Sequence, residues 1–254
     1  MPRLLLLGES WTTHMIHQKG FDTFTTTEYV EGAGEFIAAM RSGGWDVTHV
    51  PAHKIETDCP RSAAEFGEYD VVVISDVGAN TFLLTRAVFN RSQAEPNRLA
   101  ALREYVESGG GLAMIGGYLS FSGVDAKANY ANSPIGDILA VAPLLTDDRA
   151  ETPEGAVPTV TAASHPALAG TGETWPALLG FNRTNPHPDS EVLAEINGSP
   201  LVAVRSVKAG RSVAFTSDMS PHWAPPSFVA WEGYTALWLA LMAWAADRTT
   251  VDAR

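Results

Sequence analysis

The 254 residues carry 29 Asp and Glu against 17 Lys and Arg, a formal net charge of −12, with 45% hydrophobic and 18% charged residues. A surface that acidic repels phosphate backbones and anionic lipid, so neither nucleic acid nor membrane is expected as a partner, while the apolar fraction suffices for a full core. A single cysteine, Cys59, rules out an internal disulfide and fits a cytoplasmic chain.

The first residues hold only four leucines, Leu4 to Leu7, before Gly8 and Glu9. That run is too short for a signal-peptide core and reads as a strand over residues 3–7, apolar throughout as a parallel strand covered on both faces must be. No run approaches the roughly 18 apolar residues of a membrane span. A polar stretch without a regular element follows to about Thr27. Residues 28–42 read as a helix stopped by Gly43 and Gly44. Asp46 to Val50 is a second strand, residues 62–68 a short helix and Val71 to Ser75 a third strand. Residues 96–108 are a helix with Pro96 at its start and three glycines after its end. Residues 112–115 make a fourth apolar strand, running into Gly116, Gly117 and a cluster of hydroxyl side chains.

Strands alternating with helices or helix-length connections predict βαβ units and a parallel sheet. Beyond residue 125 proline and glycine become frequent, and alternating segments at 157–161 and 191–196 predict antiparallel or edge strands. Residues 201–207 and 212–216 form a hairpin about a short glycine turn. Residues 227–246 read as one long helix in which Trp231, Trp238 and Trp244 fall near helical spacing and belong to the core. No repeat or linker divides the sequence, so residues 1–254 are expected to be a single domain.

Ligands of an open parallel sheet sit outside the carboxyl ends of its strands. That rule collects Glu9, Ser10, Trp11, His14 and His17 after the first strand, and Ser75, Asp76 and Asn80 after the third. Tyr118 and Ser120 follow the fourth; Ser217, Asp218, His222 and Trp223 follow the last. His222 is the candidate general base, because imidazole titrates where acid–base catalysis needs it; the plainer reading is a histidine capping a turn. Trp11 and Trp223 are candidate stacking walls or ordinary packing. Asp76 and Asp218 are polar site groups or caps. His14 and His17, three apart, would share a face on a helical turn and could bind a metal with Glu9 or Asp76. Ser120 is a candidate nucleophile, although Tyr-Leu-Ser-Phe-Ser is not a Gly-x-Ser-x-Gly elbow. Cys59 lies away from this edge and is not read as a nucleophile.

The turn from Met114 to Tyr118, the hairpin at 201–216 and the late His222 resemble class I glutamine amidotransferase-like proteins. More narrowly, Gly8-Glu9-Ser10-Trp11, Lys19 to Asp22, Ser75 to Asn80, Gly116 to Gly123 and Ser217 to Pro225 resemble a family of bacterial cytoplasmic proteins named for that activity. The resemblance implies a flavodoxin-like three-layer α/β fold with a mainly parallel sheet, antiparallel edge strands in the C-terminal half, and a site at the sheet's carboxyl edge. It also exposes a departure. Amidotransferases of this class carry a cysteine at the elbow, where this chain has Tyr118, and Ser120 stands at the glycine that follows. His222 matches the late histidine, but Trp223 follows it rather than Pro-Glu. A phenol with pKa ~10 is a poor replacement for a thiolate.

The expectation is therefore a site for a small polar molecule (a sugar, an amide or a carboxylate) rather than a thiol-dependent glutaminase. Tyr118, His222 and Ser120 would be its catalytic groups. Glu9, Ser10, Trp11, His17, Asp76, Asn80, Asp218 and Trp223 would bind the ligand, with the Leu119 N–H holding developing negative charge. No cofactor is implied. The alternatives are a non-catalytic assembly or regulatory module, with a homo-oligomer as its natural state, and a metal-dependent hydrolase built on His14 and His17.

Overall fold

A computed structural model describes residues 1–247. Its strands in chain order are β1 (Arg3–Gly8), β2 (Ser10–Lys19), β3 (Asp22–Glu31), β4 (Asp46–Val50), β5 (Val71–Ser75), β6 (Gly111–Ile115), β7 (Val141–Pro143) and β8 (Arg149–Ala156). They continue as β9 (Thr159–Val160), β10 (Leu178–Asn182), β11 (Thr184–Pro186), β12 (Glu191–Ile196), β13 (Ser199–Val207) and β14 (Gly210–Phe215). Eight of them form one sheet in the order β4-β1-β5-β6-β14-β13-β12-β9. The pairs β4/β1, β1/β5, β5/β6 and β6/β14 are parallel. The pairs β14/β13, β13/β12 and β12/β9 are antiparallel. This is the flavodoxin-like α/β arrangement expected, with antiparallel strands confined to the C-terminal half.

The all-apolar strands are explained by a core on each face. Leu4 and Leu6 of β1 with Val71 and Val73 of β5 enter one cluster; Leu5 and Leu7 with Val72 and Ile74 enter the other. The period-two alternation of side chains thus buries both faces. The first cluster is closed by Phe36 and Met40 of helix Gly34–Ser42 and by Trp238 and Leu241 of helix Tyr234–Ala245. The second is closed by Leu99, Leu102 and Val106 of helix Arg98–Glu107. Asn97, not Pro96, caps that helix, its side chain accepting from the Ala100 N–H.

Two readings need correction. Residues 10–27 are not irregular: with residues up to Glu31 they form a two-stranded hairpin, β2 and β3, turning at Gly20 and Phe21. The helix placed at 28–42 accordingly begins only at Gly34. The exposed hairpin has no buried face and so no alternating pattern to betray it, although its threonines and β-branched residues favour strands. The last helix is also shorter than the 227–246 predicted. A short helix, Pro226–Val229, precedes Tyr234–Ala245. Gly233 separates them, where any side chain would run into the Trp231 ring at 2.1 Å.

Candidate functional site

The chain leaves β1 to build β4 on one side and β5 on the other, so the topological switch lies between β1 and β5. In open α/β sheets this is where ligands lie, outside the carboxyl ends of the strands. The residue after each strand is acidic and has a left-handed backbone: Glu9 at φ 47° and Asp76 at φ 42°. Non-glycine residues rarely adopt this conformation, and such strain collects at functional sites. The Glu9 N–H is held by the Ser75 carbonyl at 2.8 Å, which ties the two turns together.

Glu9 is buried, its carboxyl accepting from Ser75 Oγ at 2.5 Å and from Ser220 Oγ at 2.8 Å. Burial, reinforced by the nearby charges of Asp218 and Asp76, holds its pKa well above the carboxylate range. Burial and then Asp218 push Asp76 up to about 6, against the pull of its bond from the Leu119 N–H. Asp218, also buried, accepts from the Ser220 N–H at 3.1 Å and places Oδ2 3.8 Å from His222 Nδ1. That carboxylate raises the His222 pKa, with desolvation opposing. Three carboxyl groups from three strand ends thus lie together with one imidazole, and burial beside like charge favours a proton on Glu9.

Aromatic rings lie beside these groups. The Trp11 ring lies 5.0 Å from His222, Tyr118 stacks on His222 at 6.2 Å, and Tyr118 meets Trp223 at 5.5 Å, measured between centroids. Tyr118 and Trp223 are clamped from outside by Glu151, whose two carboxylate oxygens accept from Tyr118 Oη and Trp223 Nε1 at 3.0 Å each. The Arg149 guanidinium sits 5.0 Å over the Tyr118 ring. Burial, and then Glu151, raise the Tyr118 pKa.

The turn after β6 needs its glycines. A side chain at Gly116 would strike the Thr216 carbonyl at 2.4 Å, and one at Gly117, whose φ is +148°, would meet Asp76 Oδ1 at 2.8 Å. Asn182 grips the Gly117 peptide from both sides, accepting its N–H at 3.0 Å and donating to its carbonyl at 3.1 Å. Asn182 also donates to Asp148 at 2.8 Å, and Asp148 accepts the Ser122 and Gly123 N–H groups.

Glu9, Asp76, Tyr118, Asp218, His222, Trp223 and Trp11 are therefore brought together, but Glu9, Asp218 and Trp223 are buried, so Trp223 packs beneath Tyr118 rather than forming the stacking wall expected of it, and other expected groups are engaged differently. Ser120 is buried, donating to the Ile115 carbonyl at 2.5 Å and accepting from the Asp76 N–H at 3.1 Å, so it braces the two strand ends. The Leu119 N–H, expected to face developing negative charge, donates to Asp76 Oδ1 at 2.7 Å. Ser10 Oγ accepts from the Ala52 N–H at 2.8 Å and Ser217 Oγ donates to the Gly180 carbonyl at 2.7 Å. Asn80 is exposed on the short helix Ala79–Leu83. His14 and His17 lie on β2, bonded to Thr27 and Thr26 at 2.9 and 3.0 Å. On a strand a three-residue spacing puts them on opposite faces, so the shared helical face supposed for a metal does not form. Among the described residues no group of three or more His, Cys, Asp or Glu side chains has a metal-holding arrangement. Cys59 is buried in the second core cluster, where burial pushes its thiol up to about 12.

Sequence reasoning missed Asn182, Asp148, Glu151, Arg149 and Ser220. Ser220 lay within the Ser217–Pro225 stretch already noticed. The other four come from segments whose approach to the β6 turn no local pattern reveals.

The overall architecture is shared with two proteins of solved structure. Cytoplasmic protein STM3548 from Salmonella typhimurium is 43% identical, with a TM-score of 0.92 over 95% of this chain and 98% of its own. Cytoplasmic protein STM1381 from Salmonella typhimurium LT2 is 44% identical, with a TM-score of 0.92 over 96% and 99%. A ThuA-like protein from Bacteroides uniformis shares the fold at 12% identity, with a TM-score of 0.56 over 96% and 90%. A search among curated proteins gives no match, and no helix among the described residues is long and apolar enough to cross a membrane. The family described as "Putative glutamine amidotransferase" matches residues 3–247, and the chain belongs to it.

Proposed function

We propose that the carboxyl edge binds a small neutral molecule bearing hydroxyl or amide groups, and that this chain does not hydrolyse glutamine through a thioester. The observation carrying this reading is the meeting of Asp76, His222 and the Trp11 and Tyr118 rings at the β1/β5 switch point. Asp76 is the partly exposed carboxyl of the cluster and offers a strong acceptor to O–H or N–H donors. The rings supply flat walls for the apolar face of such a ligand. With Asp218 behind Asp76, a ligand carboxylate would meet like charge in a poorly solvated site, which argues against an anionic ligand. His222, oriented by Asp218 and half exposed, is the group placed to exchange a proton with the ligand. Tyr118 is held by Glu151 as a wall, its one hydroxyl proton committed to that carboxylate.

The thioester route lacks its nucleophile. Tyr118 stands at the elbow, and the only thiol in the sequence is buried and holds its proton at neutral pH. The test is ammonia release from glutamine by the purified protein and by Cys59→Ser. Neither is expected to exceed the uncatalysed rate. Turnover that disappears in Cys59→Ser would overturn this part of the reading.

A further inference from the structure

The hairpin β2–β3 stands apart from the rest of the molecule. Its ten residue pairs run without a bulge from Ser10↔Glu31 to Lys19↔Asp22, and the two strands pair only with each other. Ile16 is 78% exposed, Phe21 102% and Phe24 48%. A two-stranded ribbon is marginally stable alone; three or more strands are usually needed.

Its two outer edges differ. Proteins guard free edges with charges, proline or bulges. The β3 strand carries Asp22, Glu28 and Glu31, whereas β2 from Trp11 to Gln18 has no Asp, Glu, Lys, Arg, Pro or Gly. An uncharged, unguarded edge is unexpected on a chain of net charge −12. It is also the surface on which two such chains could meet without opposing like charges. Pairing along this edge commits the ten residues of β2 on each side and would satisfy its free backbone N–H and C=O groups.

We infer that β2 pairs antiparallel with β2 of a second copy across a twofold axis, giving a four-stranded β3-β2-β2-β3 ribbon. Such a contact is self-complementary: residue i of one copy meets residue j of the other and j meets i, so that only the central residues lie opposite themselves. Trp11 is the second residue of β2 and Met15 lies on the same face by strand alternation, so the paired ribbon also steadies the ring that leans on His222.

Sedimentation velocity at micromolar concentration should give twice the 27.1 kDa chain mass. The double variant Met15→Lys, Ile16→Lys places like charges across the axis and should sediment as a monomer. Both side chains are exposed, so its thermal midpoint should stay close to that of the dissociated wild type. Because Cys59 is buried, single cysteines introduced on β2 report contact directly. One or two central positions among 13–16 should form an intermolecular disulfide on oxidation, and Thr25→Cys on β3 should not. A monomeric wild type, a dimer that survives the two lysines, or cross-linking through β3 alone would overturn the inference.

Discussion

Asp76→Asn separates the charge of the site from its shape. The substitution keeps an Oδ1 acceptor for the Leu119 N–H, 2.7 Å away, and removes a carboxylate whose pKa is pushed up to about 6. Below pH about 4 that carboxyl is protonated in folded and unfolded chains alike. Between about 4 and 6 the folded chain keeps a proton that the unfolded chain has lost, so stability falls as pH rises. Above 6 both are ionised, and the folded state carries the full cost of a poorly solvated charge beside Asp218. At about 1.4 kcal/mol per pH unit that cost is about 3 kcal/mol. The stability of Asp76→Asn relative to wild type should therefore rise by about 3 kcal/mol between pH 4 and pH 7, equivalent to about 6–12 °C in midpoint for a chain of this size. Urea unfolding of both proteins at pH steps from 4 to 8 measures the difference directly. Curves that stay parallel across that range would refute the reasoning.

Further outcomes follow from the same contacts. Asn182→Ala removes both bonds to the Gly117 peptide and one to Asp148 in a fully buried position, and should destabilise by about 2–4 kcal/mol in equilibrium unfolding. Gly117→Ala brings a methyl to within 2.8 Å of Asp76 Oδ1 at an unfavourable φ, and should cost about 2 kcal/mol or more with a disturbed His222 resonance in NMR spectra. Glu151→Gln should lower the Tyr118 pKa, read by phenolate absorbance, since Glu151 is among the groups that raise it. Asp218→Asn should lower the His222 pKa, followed by imidazole proton shifts. The wild-type pair stabilises the fold at low pH and loses that contribution as pH rises through the raised value.

The parallel half of the fold was legible because burial on both faces leaves a plain mark. The Leu4–Leu7 and Val71–Ile74 runs fill both core clusters, and the glycines after β6 punctuate the chain where close approach demands them. The hairpin was not legible, since a ribbon exposed on both faces has no hydrophobic period. At the site, strand-end logic found Glu9, Asp76, Tyr118, Asp218 and His222, because adjacent parallel strands deliver their carboxyl ends to one edge. The same logic could not say which polar groups face the site and which brace the backbone, as Ser120 and Ser217 do. Nor could it find Asn182 and Glu151, whose approach depends on the packing of the C-terminal strands over the β6 turn.

The most direct measurement of the central claim is a thermal-shift titration at pH 7 with three ligand classes: neutral sugars and polyols, neutral amides, and carboxylates. A ligand that binds only the folded state at about 100 times its Kd stabilises by about 2.7 kcal/mol. The account predicts stabilisation by a neutral hydroxyl or amide compound, abolished in both His222→Ala and Trp11→Ala. Stabilisation by carboxylates alone, or by a neutral ligand whose effect survives both substitutions, would contradict it.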